Sequence, residues 1–229
     1  MAVGKRQDSR QRIEGRIVEL GRQHLITEGA AGLSLRAIAR DLGMVSSAVY
    51  RYVASRDELL TLLLVDAYTD LADTVERARD GAPHQARARI TEMSRAARRW
   101  AIAQPANWAL LYGSPVPGYH APRERTVGPG TRVVGALLTV VDEGVAAGEI
   151  PDVEHTVPQG LSMDFEGLRA EFSITAGDAV VARSLTLWAA LVGAISLEVF
   201  GQYGPDTFTD PEAAFDAQIA LLTDMLATN

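Results

Sequence analysis

With 229 residues and 47% hydrophobic content, the chain carries enough apolar surface for a packed core, as one large domain or two small ones. Its longest apolar stretches, Leu59 to Ala67 and Leu185 to Val199, are interrupted by polar residues and fall short of the roughly 20 needed to cross a bilayer, so no membrane span is expected. Cysteine is absent, which excludes disulfides, thiol nucleophiles and thiolate metal sites together. Met1 to Arg12 is basic and polar with no apolar core and no small-residue cleavage site, so a cytoplasmic location is expected.

The net charge of −7 argues against nucleic-acid binding only if it is spread evenly. It is not. Residues 1–60 hold 10 basic and 7 acidic side chains, net +3, whereas residues 61–229 hold 12 and 22, net −10. A small basic module on an acidic body suits a protein that docks DNA at one end.

Apolar periodicity is helical nearly throughout, which predicts an all-α fold. The first helix carries Ile13, Ile17, Leu20 and Leu25 on one face and stops at Glu28-Gly29, where glycine can take the left-handed cap. Ser34 caps a second helix that buries Leu35, Ile38, Ala39 and Leu42 and ends at Gly43. Val45, Val49 and Val53, four apart, form the inner face of a short third helix, with Ser46, Ser47, Ala48 and Arg51 outside. Ser55 and Glu58 form a capping box for a fourth helix, from about 56 to 80, with the stripe Leu59, Leu60, Leu63, Ala67 and Leu71. The Gly-Pro stretch before His84 opens a second helical region. Helices are expected from there through Trp100, then at Ala106–Tyr112, Pro122–Ala147, Val157–Phe172, Ala176–Gln202 and Pro211–Ala227. Residues 1–60 are therefore read as a DNA-binding domain, the fourth helix as a connector, and 61–229 as a second domain.

Two short helices joined by a glycine turn after a longer one have the geometry that lays the second helix in the major groove. Ser46, Ser47 and Ala48 are small enough for close approach to base edges, and Arg51 can reach a guanine edge or a phosphate. Tyr50 and Tyr52 offer hydroxyls to phosphate oxygens. Arg56 at the start of the fourth helix, and Ser34 with Arg36 at the start of the second, place polar groups beside helix N-termini, where phosphates bind.

The run Leu33-Ser-Leu-Arg-Ala-Ile-Ala-Arg-Asp-Leu-Gly43, followed by Ala48-Val-Tyr-Arg-Tyr52 and Ser55-Arg-Asp-Glu-Leu-Leu60, resembles the DNA-binding domain of TetR-type transcriptional regulators over roughly residues 10–60. The resemblance implies a three-helix helix-turn-helix domain followed by a helical-bundle domain that binds ligand and dimerises. It places Ala39 at the helix crossing, Gly43 in the turn, and Tyr50 and Arg56 on phosphates. Two departures stand out: Val45 where a serine is usual, and Val53 where an aromatic is usual. Val45 removes the usual N-cap, so Ser46 is expected to cap one residue later.

Further along, Leu187-Trp-Ala-Ala-Leu-Val-Gly-Ala-Ile-Ser-Leu-Glu198 resembles a TetR C-terminal class named for a Trp-His-Gly pattern; Trp188 and Gly193 match, and Val192 stands where histidine is usual. Trp108 to Gly118 is similar to a companion segment of that class. Trp100, Trp108, Tyr112, Tyr119, Phe165, Phe172 and Trp188 lie in an Ala/Val/Leu-rich bundle. Aromatics at helical spacing usually form core, but such a set also suits the wall of an apolar ligand pocket. The resemblance implies dimerisation through the last two helices, through Leu187, Leu191, Ala194 and Leu197 with Phe215, Ile219, Leu222 and Leu226. The same side chains also suit packing within one subunit.

No paired ligands, nucleophile elbow or phosphate loop appears, so neither an enzyme nor a cofactor or metal site is expected. His24, His84, His120 and His155 are scattered, and His24 on the apolar face of the first helix reads as a satisfied core histidine. Gly128-Pro-Gly130 lacks the setting of a dinucleotide loop. The expectation is a homodimeric repressor bound to a palindromic double-stranded operator and released by a small, largely apolar effector. The alternative is a DNA-binding regulator whose C-terminal domain only dimerises or binds a protein partner.

Overall fold

The computed structural model describes residues 2–152 and 157–227, with side chains from Arg10 onward; His155 lies outside the described residues. All regular structure among them is helical: α1 (Ala2–Gly32), α2 (Leu35–Asp41), α3 (Ser46–Val49), α4 (Arg56–Gly81), α5 (Ala86–Ala103), α6 (Pro105–Tyr112), α7 (Arg123–Ala146), α8 (Gln159–Phe172), α9 (Asp178–Val199) and α10 (Pro211–Ala227). The local signals account for the early boundaries. Gly29, at φ 68° and ψ 173°, interrupts α1 where the Glu28-Gly29 pair predicts a stop. Ser34 is extended, and its Oγ accepts from the Ala37 N–H at 3.4 Å. Gly43, at φ 66°, makes the turn out of α2. At the start of α4, Ser55 Oγ accepts from Glu58 N–H at 3.0 Å, while the Glu58 carboxylate takes Arg125 Nη1 at 2.8 and 2.9 Å.

The chain forms two compact units, one of Met1–Thr69 with Gln104–Gly130, the other of Asp70–Ala103 with Thr131–Asn229. The unit holding the helix-turn-helix is thus larger than the expected 1–60, because α6 packs on α1 and Ala106, Leu110 and Tyr119 rest against the same core. α4 and α7 each contribute residues to both units. Gly128-Pro129-Gly130 lies inside α7, within the helix expected over Pro122–Ala147.

The first unit is built on the opening turns of α4. Leu59, Leu60 and Leu63 are buried together with Ile17, Leu33, Leu35, Ile38, Val49 and Val53. Each fully buried aliphatic of this kind stabilises the fold by about 1.5–3 kcal/mol. Arg22 on α1 grips Asp66 on α4 through two bonds of 2.8 Å, fixing the register of the two long helices.

In the second unit α5, α9 and α10 pack on one another, and α8 packs on α9. α9 is long and apolar enough, by length and composition, to cross a membrane; here it buries Leu187, Leu191 and Ile195. Arg98 of α5 is buried and makes a paired contact with Glu198 of α9 at 2.6 and 2.7 Å. Its guanidinium carbon also stands 5.5 Å from the centroid of the Phe215 ring of α10. One cation thereby joins three helices. Glu198→Ala leaves that buried cation without its paired carboxylate, and urea unfolding should show a loss of about 3 kcal/mol, the lower end of the cost of breaking a buried pair; a change within about 0.5 kcal/mol would show that the pair is dispensable.

Candidate nucleic-acid interface

α3 is four residues long, preceded by extended Val45 at φ −69° and ψ 141°, with no side-chain cap. Ser46 is the first residue of the helix and not its cap, contrary to expectation. The helix is held from below by Val49 and Val53, both wholly buried. The third valine departs from the predicted inner face: Val45 is 71% exposed. The helical period does not apply to a residue whose backbone is still extended, so its side chain leaves in a different direction from Val49. On the outer side Ser47 and Arg51 are exposed, Tyr50 is 46% exposed, and Ser46 and Ala48 are half-buried.

The flanking residues divide into two groups. Arg36 and Arg40, one turn apart on α2, are both exposed, and Arg40 was missed by the sequence reading although its spacing from Arg36 is the signal for a shared face. Ser34 is engaged as the α2 cap. Tyr52 is half-buried against the core of the unit. Arg56 requires the main correction. Its Nη2 donates to the backbone carbonyls of Ala30 at 2.8 Å and Ala31 at 3.1 Å. The last carbonyls of a helix have no intrahelical donor, and the Gly29 break leaves those of α1 beside the start of α4. His24 is satisfied, with Nε2 2.7 Å from Asp41 Oδ2, tying α1 to the end of α2.

The seven aromatics proposed for ligand divide between the units. In the first, Trp108 is buried with its ring centroid 4.4 Å from that of Tyr112, and the Tyr119 hydroxyl lies 2.9 Å from Thr61 Oγ1. In the second, Trp100 donates Nε1–H to Asp70 at 2.8 Å. Phe165 belongs to a buried cluster with Leu138, Ile174 and Val181; Phe172 packs on that cluster and against Gly135, and Trp188 is half-buried on α9. Tyr203 and Phe208, not singled out from the sequence, meet edge to face at 5.1 Å beside an open groove of about 340 Å³ lined also by Pro205 and Pro211.

The eight residues expected at a dimer interface fare differently. Leu187, Leu191, Ala194, Phe215, Ile219 and Leu226 are buried within the protomer, where α9 and α10 pack on each other and on α5, and so have no surface to offer a partner. Leu197 is 38% exposed and Leu222 half-buried.

Residues 90–222 match the family model described as the tetracyclin repressor-like C-terminal domain. Over 226 residues the chain is 61% identical to the HTH-type transcriptional regulator Rv1816 of Mycobacterium tuberculosis, covering 98% of this chain and 97% of that protein. The chain belongs to the TetR family of transcriptional regulators. It is a DNA-binding helix-turn-helix regulator and not an enzyme. Among solved structures it is similar to the putative regulatory protein SCO4313, with a TM-score of 0.75 and 30% identity over 95% of this chain and 98% of the other. The fold of FadR from Bacillus subtilis, solved in complex with stearoyl-CoA, is also similar, with a TM-score of 0.61 and 11% identity over 93% and 97% of the two chains.

Against the TetR pattern, Ala39 is buried and Gly43 makes the turn, while Tyr50 is exposed. Arg56 differs, because two backbone carbonyls already hold it. Arg56→Ala should lower the unfolding free energy by about 1.5–3 kcal/mol, the worth of hydrogen bonds from a charged donor, and hydrogen exchange should show the loss at Gly29 to Leu35. Unchanged protection there would show that the clasp contributes nothing. In the same unit, burial raises the phenol of Tyr112 far above its ordinary value and raises those of Tyr68 and Tyr119 as well. An acid whose folded pKa is raised stabilises fully below its unfolded value, about 10, and loses that contribution as pH rises beyond it. Stability should therefore decline above about pH 10, less steeply in Tyr112→Phe, as read by denaturant midpoints across pH.

Proposed function

We propose that this TetR-family regulator is a repressor that binds a palindromic operator as a homodimer and is released by a small, largely apolar molecule. The observation that carries the DNA half is the outward face of α3 and α2, with Ser47, Tyr50, Arg51, Arg36 and Arg40 on a buried support. In this reading Arg51 has the reach to read a base edge, and Tyr50, Arg36 and Arg40 contact phosphates.

Dimerisation is supported by α9, a helix of membrane-like apolarity of which only 39% of the most apolar 18-residue window is buried in the protomer. Ala189 and Leu197 on α9, with Ala217 and Leu221 on α10, form the exposed apolar faces, and Leu221 is 71% exposed. These residues replace the six buried ones as the proposed contact. A two-fold dimer then sets two α3 helices on successive major grooves, roughly 34 to 36 Å apart or a multiple.

The effector half is supported by the fold neighbour FadR, which was solved with stearoyl-CoA. The effector acts by binding better to the arrangement that holds operator poorly, lowering operator affinity by that difference. α4, which contributes residues to both units, is the proposed connection. The protein acts in the cytoplasm, where its operator lies.

Sedimentation and fluorescence anisotropy on an operator selected from random duplex DNA test the reading together. The wild type should sediment as a dimer and bind two protomers per site. Leu221→Glu should be monomeric and bind at least tenfold more weakly, and long-chain acyl-CoA should raise the operator Kd of the wild type at least fivefold. A monomeric wild type would overturn the dimer. Operator affinity unmoved by acyl-CoA and by a wider panel of apolar metabolites would leave a C-terminal domain that only dimerises or binds a protein.

A further inference from the structure

Val45 is the position at which periodicity and structure disagree, and it sits at the leading end of the DNA-reading helix. Its neighbours at four and eight residues are wholly buried, yet Val45 is 71% exposed. Its carbonyl accepts the Ala48 N–H at 2.9 Å, so its backbone is fixed by the first turn of α3, while its side chain takes no part in capping. A branched apolar group thus occupies the place where an oxygen would have capped the helix, and it faces outward. The N-terminal residues of a recognition helix are those that meet base edges in the major groove. In that groove the apolar feature distinguishing one base from the others is the thymine C5-methyl.

We propose that Val45 is a specificity-determining residue that reads a thymine methyl in each half-site. The side chain presents two methyl groups on a stiff β-branched stem, so little rotamer freedom is lost when they meet a methyl on the DNA. Ser47 lies outward on the same short helix and Arg51 follows one turn later, so the apolar contact at residue 45 and the polar contacts at 47 and 51 address neighbouring base pairs. The inference rests on the assignment of α3 as the recognition helix.

The test uses the full chain and an operator enriched from random duplex DNA. Each thymine is replaced in turn by deoxyuridine, which removes the C5-methyl and nothing else. For the wild type, one position per half-site should weaken binding about fourfold, the worth of one buried methyl-sized group. In Val45→Ser that dependence should vanish, with thymine and uracil operators bound equally, and Val45→Thr, which keeps one methyl, should retain part of it. The variants should melt at or above the wild-type temperature, since residue 45 supports no core and a hydroxyl at this position can cap α3. The inference is overturned if no thymine shows a methyl effect that depends on residue 45, or if the dependence persists in Val45→Ser. If Arg51→Ala binds the selected operator as tightly and selectively as the wild type does, the recognition-helix assignment itself fails, a result separate from loss of the methyl effect alone.

Discussion

A helix of four residues does not form by itself in water, because nucleation fixes several dihedrals before the hydrogen bonds compensate. α3 exists because Val49 and Val53 are pressed into a core that the first turns of α4 supply through Leu59, Leu60 and Leu63. Everything the head can do to DNA depends on that burial. It frees the outer side of α3 from any packing duty, so small and polar side chains can stand there, and it holds the backbone still enough for single groups to be placed against a base edge. Arg22 with Asp66, and Arg56 with the end of α1, fasten the same α4 segment to the helix that precedes the reading pair.

The arginines show a division of labour that net charge conceals. Arg22, Arg98, Arg125 and Arg132 are each held by a carboxylate within their own unit, and Arg56 by carbonyls. Arg36, Arg40 and Arg51 point outward on the helix-turn-helix. An acidic protein of net charge −7 can therefore present cationic side chains on the face that meets DNA.

The helices themselves were legible. Periodicity together with Ser34, Gly43, Ser55 and the Gly-Pro segments located nearly every boundary, because caps and turns are decided by a few consecutive residues. The TetR resemblance was legible as well, in the wording of residues 33–60. Reading failed wherever the answer depended on what covers an apolar side chain. Val45 shares its spacing with Val49 and Val53 but precedes the helix. Leu187, Leu191, Phe215 and Ile219 make apolar faces that α5, α9 and α10 bury among themselves, leaving Leu197 and Leu221 outside.

The sequence by itself determined the helical fold, the family, the turn at Gly43 and the small polar face of α3, since each is written in local residue choice. Tertiary structure alone decided that Arg56 clasps the end of α1, that six of the eight supposed interface residues are interior, and that Val45 stands in the open. Val45 stands outside because its backbone is still extended when α3 begins, and the other two share a different physical reason. A pattern along the chain states which side of a helix is apolar or charged, whereas the partner of that side comes from residues tens of positions away, brought near only by packing.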